Sequence, residues 1–236
     1  MTPLDGPDFD PRPRLQAVVV DLDGLLIDSE IWSWQAHDRA LAYFDQPALA
    51  IEEARRLVGL DGEDEWATVR ALRPLSVSAD AYFSRHRDAF VALREANLTP
   101  LPGLGDLLEV VRVRGWRLGL ASNSGLPSII AALTGLGILQ DFAAVASADE
   151  APRGKPYPDV YQLAMRRLGA TPERSIALED SATGLRAARA AGMYCLAVPN
   201  ALTLAQDLSA AHRRFPSLRE AAAWLRATGA DVPSGL

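Results

Sequence analysis

Five short apolar runs punctuate the chain, each closing on small or polar residues: QAVVVDL (16–22), RLGLAS (117–122), FAAVAS (142–147), SIALED (175–180) and MYCLAV (193–198). They have strand length, and several are apolar at consecutive positions rather than alternating ones. That pattern suits a parallel sheet covered on both faces. Stretches of helical periodicity lie between them at 103–114, 126–137 and 157–169, then 182–191, with another at 217–227. Strands alternating with helices predict right-handed crossovers and a doubly wound, Rossmann-like α/β core. Residues 30–100 break this rhythm. They carry helical segments at about 30–44, 51–58, 63–73 and 78–96 and no strand pattern. The expected organisation is therefore a core from 15–29 and 101–236, with an all-helical cap domain inserted over 30–100. The return linker is NLTPLPGL (97–104), where prolines and a glycine interrupt the helical pattern.

Composition narrows the classes of function. The 236 residues are 49% hydrophobic and 23% charged, as in an ordinary globular protein. No apolar run is long enough to span a bilayer, so no membrane partner is expected. A net charge of −6 without a basic patch argues against nucleic acid. The proline-rich, acidic residues 1–14 lack the apolar core of a secretory signal and read as a disordered tail. One cysteine, Cys195, excludes an intrachain disulfide and fits a cytoplasmic setting. A monomer is expected. Among 24 basic residues there is a single lysine, Lys155 in RGKPYPD. A compact ammonium in a chain that otherwise uses the arginine fork marks that position for notice.

Candidate chemistry follows from what stands at the carboxyl ends of the strands, where open parallel sheets bind ligands. The first strand delivers Asp21 and Asp23, the second Ser122, Asn123 and Ser124, and the fourth Glu179 and Asp180; Lys155 precedes the helix leading into the fourth. Carboxylates crowded in this way repel, so they need a cation or a shared proton. Oxygen donors without a His or Cys cluster select a hard ion such as Mg²⁺ over zinc. The Ser122 hydroxyl, the backbone N–H groups of Asn123 and Ser124, and Lys155 are donors for a phosphate. A carboxylate can also act as nucleophile. The set points to Mg²⁺-assisted phosphoryl transfer on a small phosphorylated molecule.

Competing motifs fail on spacing. An EF-hand loop from Asp21 needs Gly and Glu where Leu26 and Trp32 stand, and a P-loop needs Gly where Asp149 stands. GLGDLL (103–108) and GLGILQ (135–140) lack the third glycine of a dinucleotide fingerprint.

The stretches DLDGLLIDSE, ASNS, GKPYPDVY and LEDSATG, in this order and spacing, resemble the four motifs of the haloacid-dehalogenase superfamily. The likeness covers residues 15–200 and is to the phosphatase and β-phosphoglucomutase-like branch with a helical cap. It implies that Asp21 is the nucleophile and Asp23 the general acid and base. It also implies a Mg²⁺ ion held by Asp21, the Asp23 carbonyl and Asp180, with Glu179 in support. Ser122 and Lys155 would bind the phosphoryl group. An acid at Asp23 speaks against dehalogenation. A sugar or polyol phosphatase is expected. The alternatives are a phosphosugar mutase and a catalytically silent binding module. Mutases of this branch carry a cap histidine where this chain has Ser33, and an arginine where it has Gly62.

The remaining candidates have plainer readings. Asp28 and Glu30 end the hinge and open the cap helix, where acids are favoured. His37, His86 and His212 are packing or surface residues. Trp32, Trp34 and Trp66 form cap core, and Arg85 and Arg87 a solvated face. Ser122 alone could also serve as a helix N-cap.

Overall fold

Parallel strands need both faces covered, and the three valines of β1 (Ala17–Val20) meet that condition with no exposed surface. The computed structural model describes residues 15–60 and 62–227; the tail expected over 1–14 lies outside them. The other strands are β2 (Arg117–Ser122), β3 (Ala144–Ser147), β4 (Ser175–Glu179), β5 (Tyr194–Ala197) and β6 (Arg213–Arg214). They form one parallel sheet in the order β3-β2-β1-β4-β5-β6. Around it lie α5 (Leu104–Arg114), α6 (Leu126–Gly135), α7 (Asp159–Leu168), α8 (Ala182–Ala190) and α9 (Leu218–Ala227). Between β1 and α5 come α1 (Ser29–Tyr43), α2 (Ile51–Ala54), α3 (Gly62–Leu72) and α4 (Ala79–Asn97), with no strand among the described residues of that stretch.

Strand alternation sorts the core into two halves. Val18, Val20, Leu118, Leu120, Ile176 and Leu178 pack with α5, α6 and α9 through Leu107, Ile129 and Leu225. On the other face Ala17, Val19, Ala121, Ala177 and Cys195 meet α7 and α8 through Tyr161, Met165 and Leu185. Each fully buried valine contributes on the order of 1.5–3 kcal/mol. That anchors the segment in front of Asp21.

Three details differ from expectation. The segment predicted as helix over 51–58 stays helical only to Ala54 and then turns. Two-residue β6 had no hydrophobic signal; it pairs by backbone bonds with Leu196 and Ala197. Trp32 leaves the insertion's own core and packs with the sheet-side cluster, edge-on to Phe90 at 6.5 Å. Trp34 and Trp66 do join the insertion's core around Tyr82. The two connecting segments run side by side: the Leu101 N–H donates to the Leu26 carbonyl at 2.8 Å, and Ile27 bridges Pro100.

Candidate active site

β1 sits between β2 and β4, so the chain departs to opposite sides of it and leaves a crevice at the carboxyl edge. Register fixes what lines that crevice. Val20 stands level with Leu120 and Leu178, so Asp21, Ser122, Glu179 and Asp180 emerge within two residues of one line. The Asp21 N–H donates to the Leu178 carbonyl at 3.0 Å.

Lys155 crosses to this edge and is buried there. Its Nζ donates to Asp21 Oδ1 at 2.5 Å and to Glu179 Oε1 at 2.6 Å. The Tyr161 hydroxyl donates to the same Glu179 oxygen at 2.6 Å. Asp180 Oδ2 accepts from Asn200 Nδ2 at 2.8 Å. Asp23 Oδ2 accepts from the Ser124 hydroxyl at 2.7 Å and the Ser122 hydroxyl at 3.1 Å. All seven predicted site residues are thus brought together, though not all as pictured. The Asn123 side chain faces the backbone of Lys155, accepting its N–H at 2.7 Å and donating to its carbonyl at 3.2 Å. Ser122 is no helix cap: α6 starts after Gly125, and the Ser122 hydroxyl accepts the Ser124 N–H at 2.9 Å.

Two glycines make the crowding possible. Gly24 has φ +77°, and a Cβ there would lie 2.4 Å from Asp180 Oδ2. A Cβ on Gly184 would lie 1.9 Å from Glu179 Oε2. Ser181 caps α8, its Oγ accepting the N–H of that glycine at 3.1 Å.

The electrostatics are those of a carboxylate cluster short of positive charge. Burial pushes the Asp21 carboxyl up to about 8; Lys155 pulls it down, while Glu179 and Asp23 add to the rise. Asp180 is held well above the carboxylate range by burial, then by Asp21, Glu179 and Glu30. Burial disfavours the Lys155 charge, but Asp21 and Glu179 outweigh it and keep the ammonium charged. Carboxylate oxygens of Asp21, Glu179 and Asp180 lie within 4.8 Å of one another. Three buried carboxyls against one ammonium fit a hard divalent cation, whose charge would let them ionise together.

A cavity of about 300 Å³ opens over these groups. Asp21, Asp23, Ser122, Lys155 and Asp180 form its floor, and Glu30, Ser33, Val58, Leu60 and Phe90 reach it from the helical insertion. Glu30 lies in the opening turn of α1, as expected, and also forms part of the cavity wall. Burial raises its carboxyl to about 7, with Asp23, Asp28 and Glu65 adding to the shift. Nothing local in the chain marks Tyr161 or Asn200, because each meets its partner only across the fold. Arg85 and Arg87 are exposed and do not line the cavity; Arg85 lies over the Tyr43 ring. Gly62 is not in the wall either.

The profile of the haloacid dehalogenase-like hydrolases matches residues 15–192. Protein CbbY of Cereibacter sphaeroides is 34% identical over 225 residues, covering 87% of this chain and 94% of that protein. Hexitol phosphatase B of Escherichia coli K12 is 32% identical, covering 79% of this chain and 84% of that one. A crystal structure of a CbbY mutant from Rhodobacter sphaeroides in complex with xylulose-1,5-bisphosphate superposes with a TM-score of 0.74 at 29% identity, over 87% of this chain and 96% of that chain. No helix among the described residues is long and apolar enough to cross a membrane.

Proposed function

The chain belongs to the haloacid dehalogenase-like hydrolase family as a phosphoric monoester hydrolase, and from that premise we propose a Mg²⁺-dependent phosphatase acting on a sugar or polyol monophosphate. The observation that carries this reading is the buried set Asp21–Lys155–Glu179 with Asp23 and Asp180, facing one cavity under a helical cap.

Asp21 attacks phosphorus: a bond forms between its carboxylate oxygen and the phosphorus as the bond to the leaving oxygen breaks. Asp23 gives that oxygen a proton. Water then attacks the aspartyl phosphate, Asp23 takes up its proton, and Asp21 is released with inorganic phosphate. The ammonium of Lys155, kept charged by its two carboxylates, faces the phosphoryl oxygens together with the Ser122 hydroxyl and the backbone N–H of Asn123. The Asn123 side chain holds the Lys155 backbone in place. Mg²⁺, bound by Asp21, the Asp23 carbonyl and Asp180 with Glu179 behind, would supply positive charge against the transferring phosphoryl group.

Lys155 is the one cation among the described residues lining the cavity, which favours one phosphate and a neutral, hydroxyl-bearing remainder. Glu30 and Ser33 are suited to such hydroxyls. Ser33 in place of a histidine speaks against the mutase reading. A cytoplasmic setting fits the buried, unpaired Cys195.

The test is phosphate release from a panel of sugar and polyol monophosphates with Mg²⁺, beside their bisphosphates. Asp21→Asn should lower turnover by about 10⁴-fold or more. Substantial remaining activity would sink the nucleophile assignment. Conversion of β-glucose 1-phosphate to glucose 6-phosphate, given a bisphosphate primer, would establish the mutase instead.

A further inference from the structure

A second cluster of ligating groups lies in the helical insertion, away from the carboxylate edge. His37 comes from α1, Glu65 from α3 and His86 from α4, and one ligand atom of each lies within 4.8 Å of the others. We propose that these three side chains bind a transition-metal ion, Zn²⁺ by preference, which clasps the three helices together.

The donor set is the first argument. Two imidazoles and one carboxylate match a three-ligand zinc site, with water in the fourth position, and are a poor set for Mg²⁺. Spacing is the second. His37 Nε2 and Glu65 Oε1 are 3.1 Å apart, and a ring nitrogen of His86 lies within 4.8 Å of the other two donors. Two ligands on a tetrahedral zinc, at bonds of about 2.0–2.1 Å, stand about 3.3 Å apart. Closing the third donor from within 4.8 Å to that spacing is a movement of at most about 1.5 Å.

The outer hydrogen bonds are the third argument. His86 Nε2 lies 3.3 Å from the Ser33 carbonyl. A carbonyl only accepts, so the proton is on Nε2 and the lone pair on Nδ1, which has no hydrogen bond among the described residues. His37 Nδ1 lies 2.9 Å from the Tyr82 hydroxyl, an oxygen that can accept as well as donate. When the metal takes Nε2, the His37 proton moves to Nδ1 and the Tyr82 hydroxyl turns to accept it, with no net charge change in the ring. Each histidine then has an oxygen partner on its other nitrogen, the arrangement that orients metal-bound imidazoles. Tyr82 and His86 stand one turn apart on α4, as Ser33 and His37 do on α1, so each helix supplies both a ligand and a support.

The experiment titrates the full chain, saturated with Mg²⁺, with Zn²⁺ by calorimetry, and follows its melting temperature. The wild type should take up one equivalent of Zn²⁺ more than Glu65→Gln or His86→Gln. Zn²⁺ at about 100-fold over its dissociation constant should raise the wild-type melting temperature by about 5–10 °C, a gain lost in both variants. Glu65→Gln keeps the side chain's shape, so it reports even where His86→Gln does not fold. Equal Zn²⁺ uptake by wild type and Glu65→Gln overturns the site, as does uptake without a rise in melting temperature. Release of phosphate from an aryl phosphate, which offers Glu30 no hydroxyls, should be the same without Zn²⁺ in wild type and Glu65→Gln, so this test stands apart from that of the phosphatase reading.

Discussion

The carboxyl edge of the sheet and the helical insertion above it are held in opposite ways. At the edge, every residue of β1 and β4 is buried, and β2 exposes only Arg117. In the insertion, α1 buries six of its fifteen residues, but α3 buries Val69 alone and α4 only Tyr82 and Leu93 along nineteen residues. The groups proposed to react are over-determined by packing, backbone bonds and crossed hydrogen bonds. The wall facing them rests on a thin core, whose largest buried member is Tyr82. Chemistry that must not move is built on strands, whereas a surface that selects among substrates can vary with little cost to the fold.

This contrast can be broken most forcefully at Lys155. Lys155→Met removes the counter-charge shared by Asp21 and Glu179, and breaking a buried pair costs about 3–5 kcal/mol. We expect that loss of unfolding free energy in denaturant titrations, together with phosphatase activity at background. A variant as stable as wild type would show that the edge does not depend on this ammonium.

Gly24→Ala should come next. Its positive φ and the 2.4 Å approach to Asp180 Oδ2 predict a loss of about 1–3 kcal/mol. Mg²⁺ affinity should weaken by at least tenfold, read by calorimetry, because Asp180 must move. An unchanged Mg²⁺ titration would count against that assignment.

The charge deficit at the edge predicts a pH-dependent response to metal. Asp21 rises on folding from 3.8 to about 8, driven by burial, and Asp180 also rises. A carboxyl raised on folding adds stability below its unfolded value and loses it as the pH climbs to the folded one. The metal-free edge is therefore least stable near pH 8, where a cation relieves it most. Mg²⁺ should raise the melting temperature by several degrees more at pH 8 than at pH 5; equal shifts at the two values would contradict the cluster's role.

The smallest effect should lie in the wall. Ser33→Ala removes one hydroxyl from the cavity and touches no edge residue. It should change kcat/KM for the proposed sugar or polyol phosphate substrate by about fivefold to tenfold, the worth of one hydrogen bond. An aryl phosphate without matching hydroxyls should be hydrolysed as by wild type. An equal loss on both substrates would place Ser33 with the chemistry instead.

Much of the edge was legible in the chain. Apolar runs ending in Asp21, Ser122 and Glu179 name their own strand ends, and a lone Lys155 among arginines marks itself by composition. Tyr161 and Asn200 were not legible, since they act across 18 and 20 residues on Glu179 and Asp180 and resemble any polar group near a helix or loop. The place of Trp32 in the sheet-side core is hidden for the same reason: helical spacing gives a buried face, not the identity of what covers it.

The sequence by itself determined which residues reach the carboxyl edge. Parallel strands joined by helices all end on one side, so strand pattern alone lines up their terminal residues. Tertiary structure decided what each of them does there. The Asn123 side chain became a clamp for Lys155, Glu30 became part of the cavity wall, and His37, Glu65 and His86 met from three helices. Protonation and ligation depend on distances between segments and on exclusion of water, and both come into being only when the chain has folded.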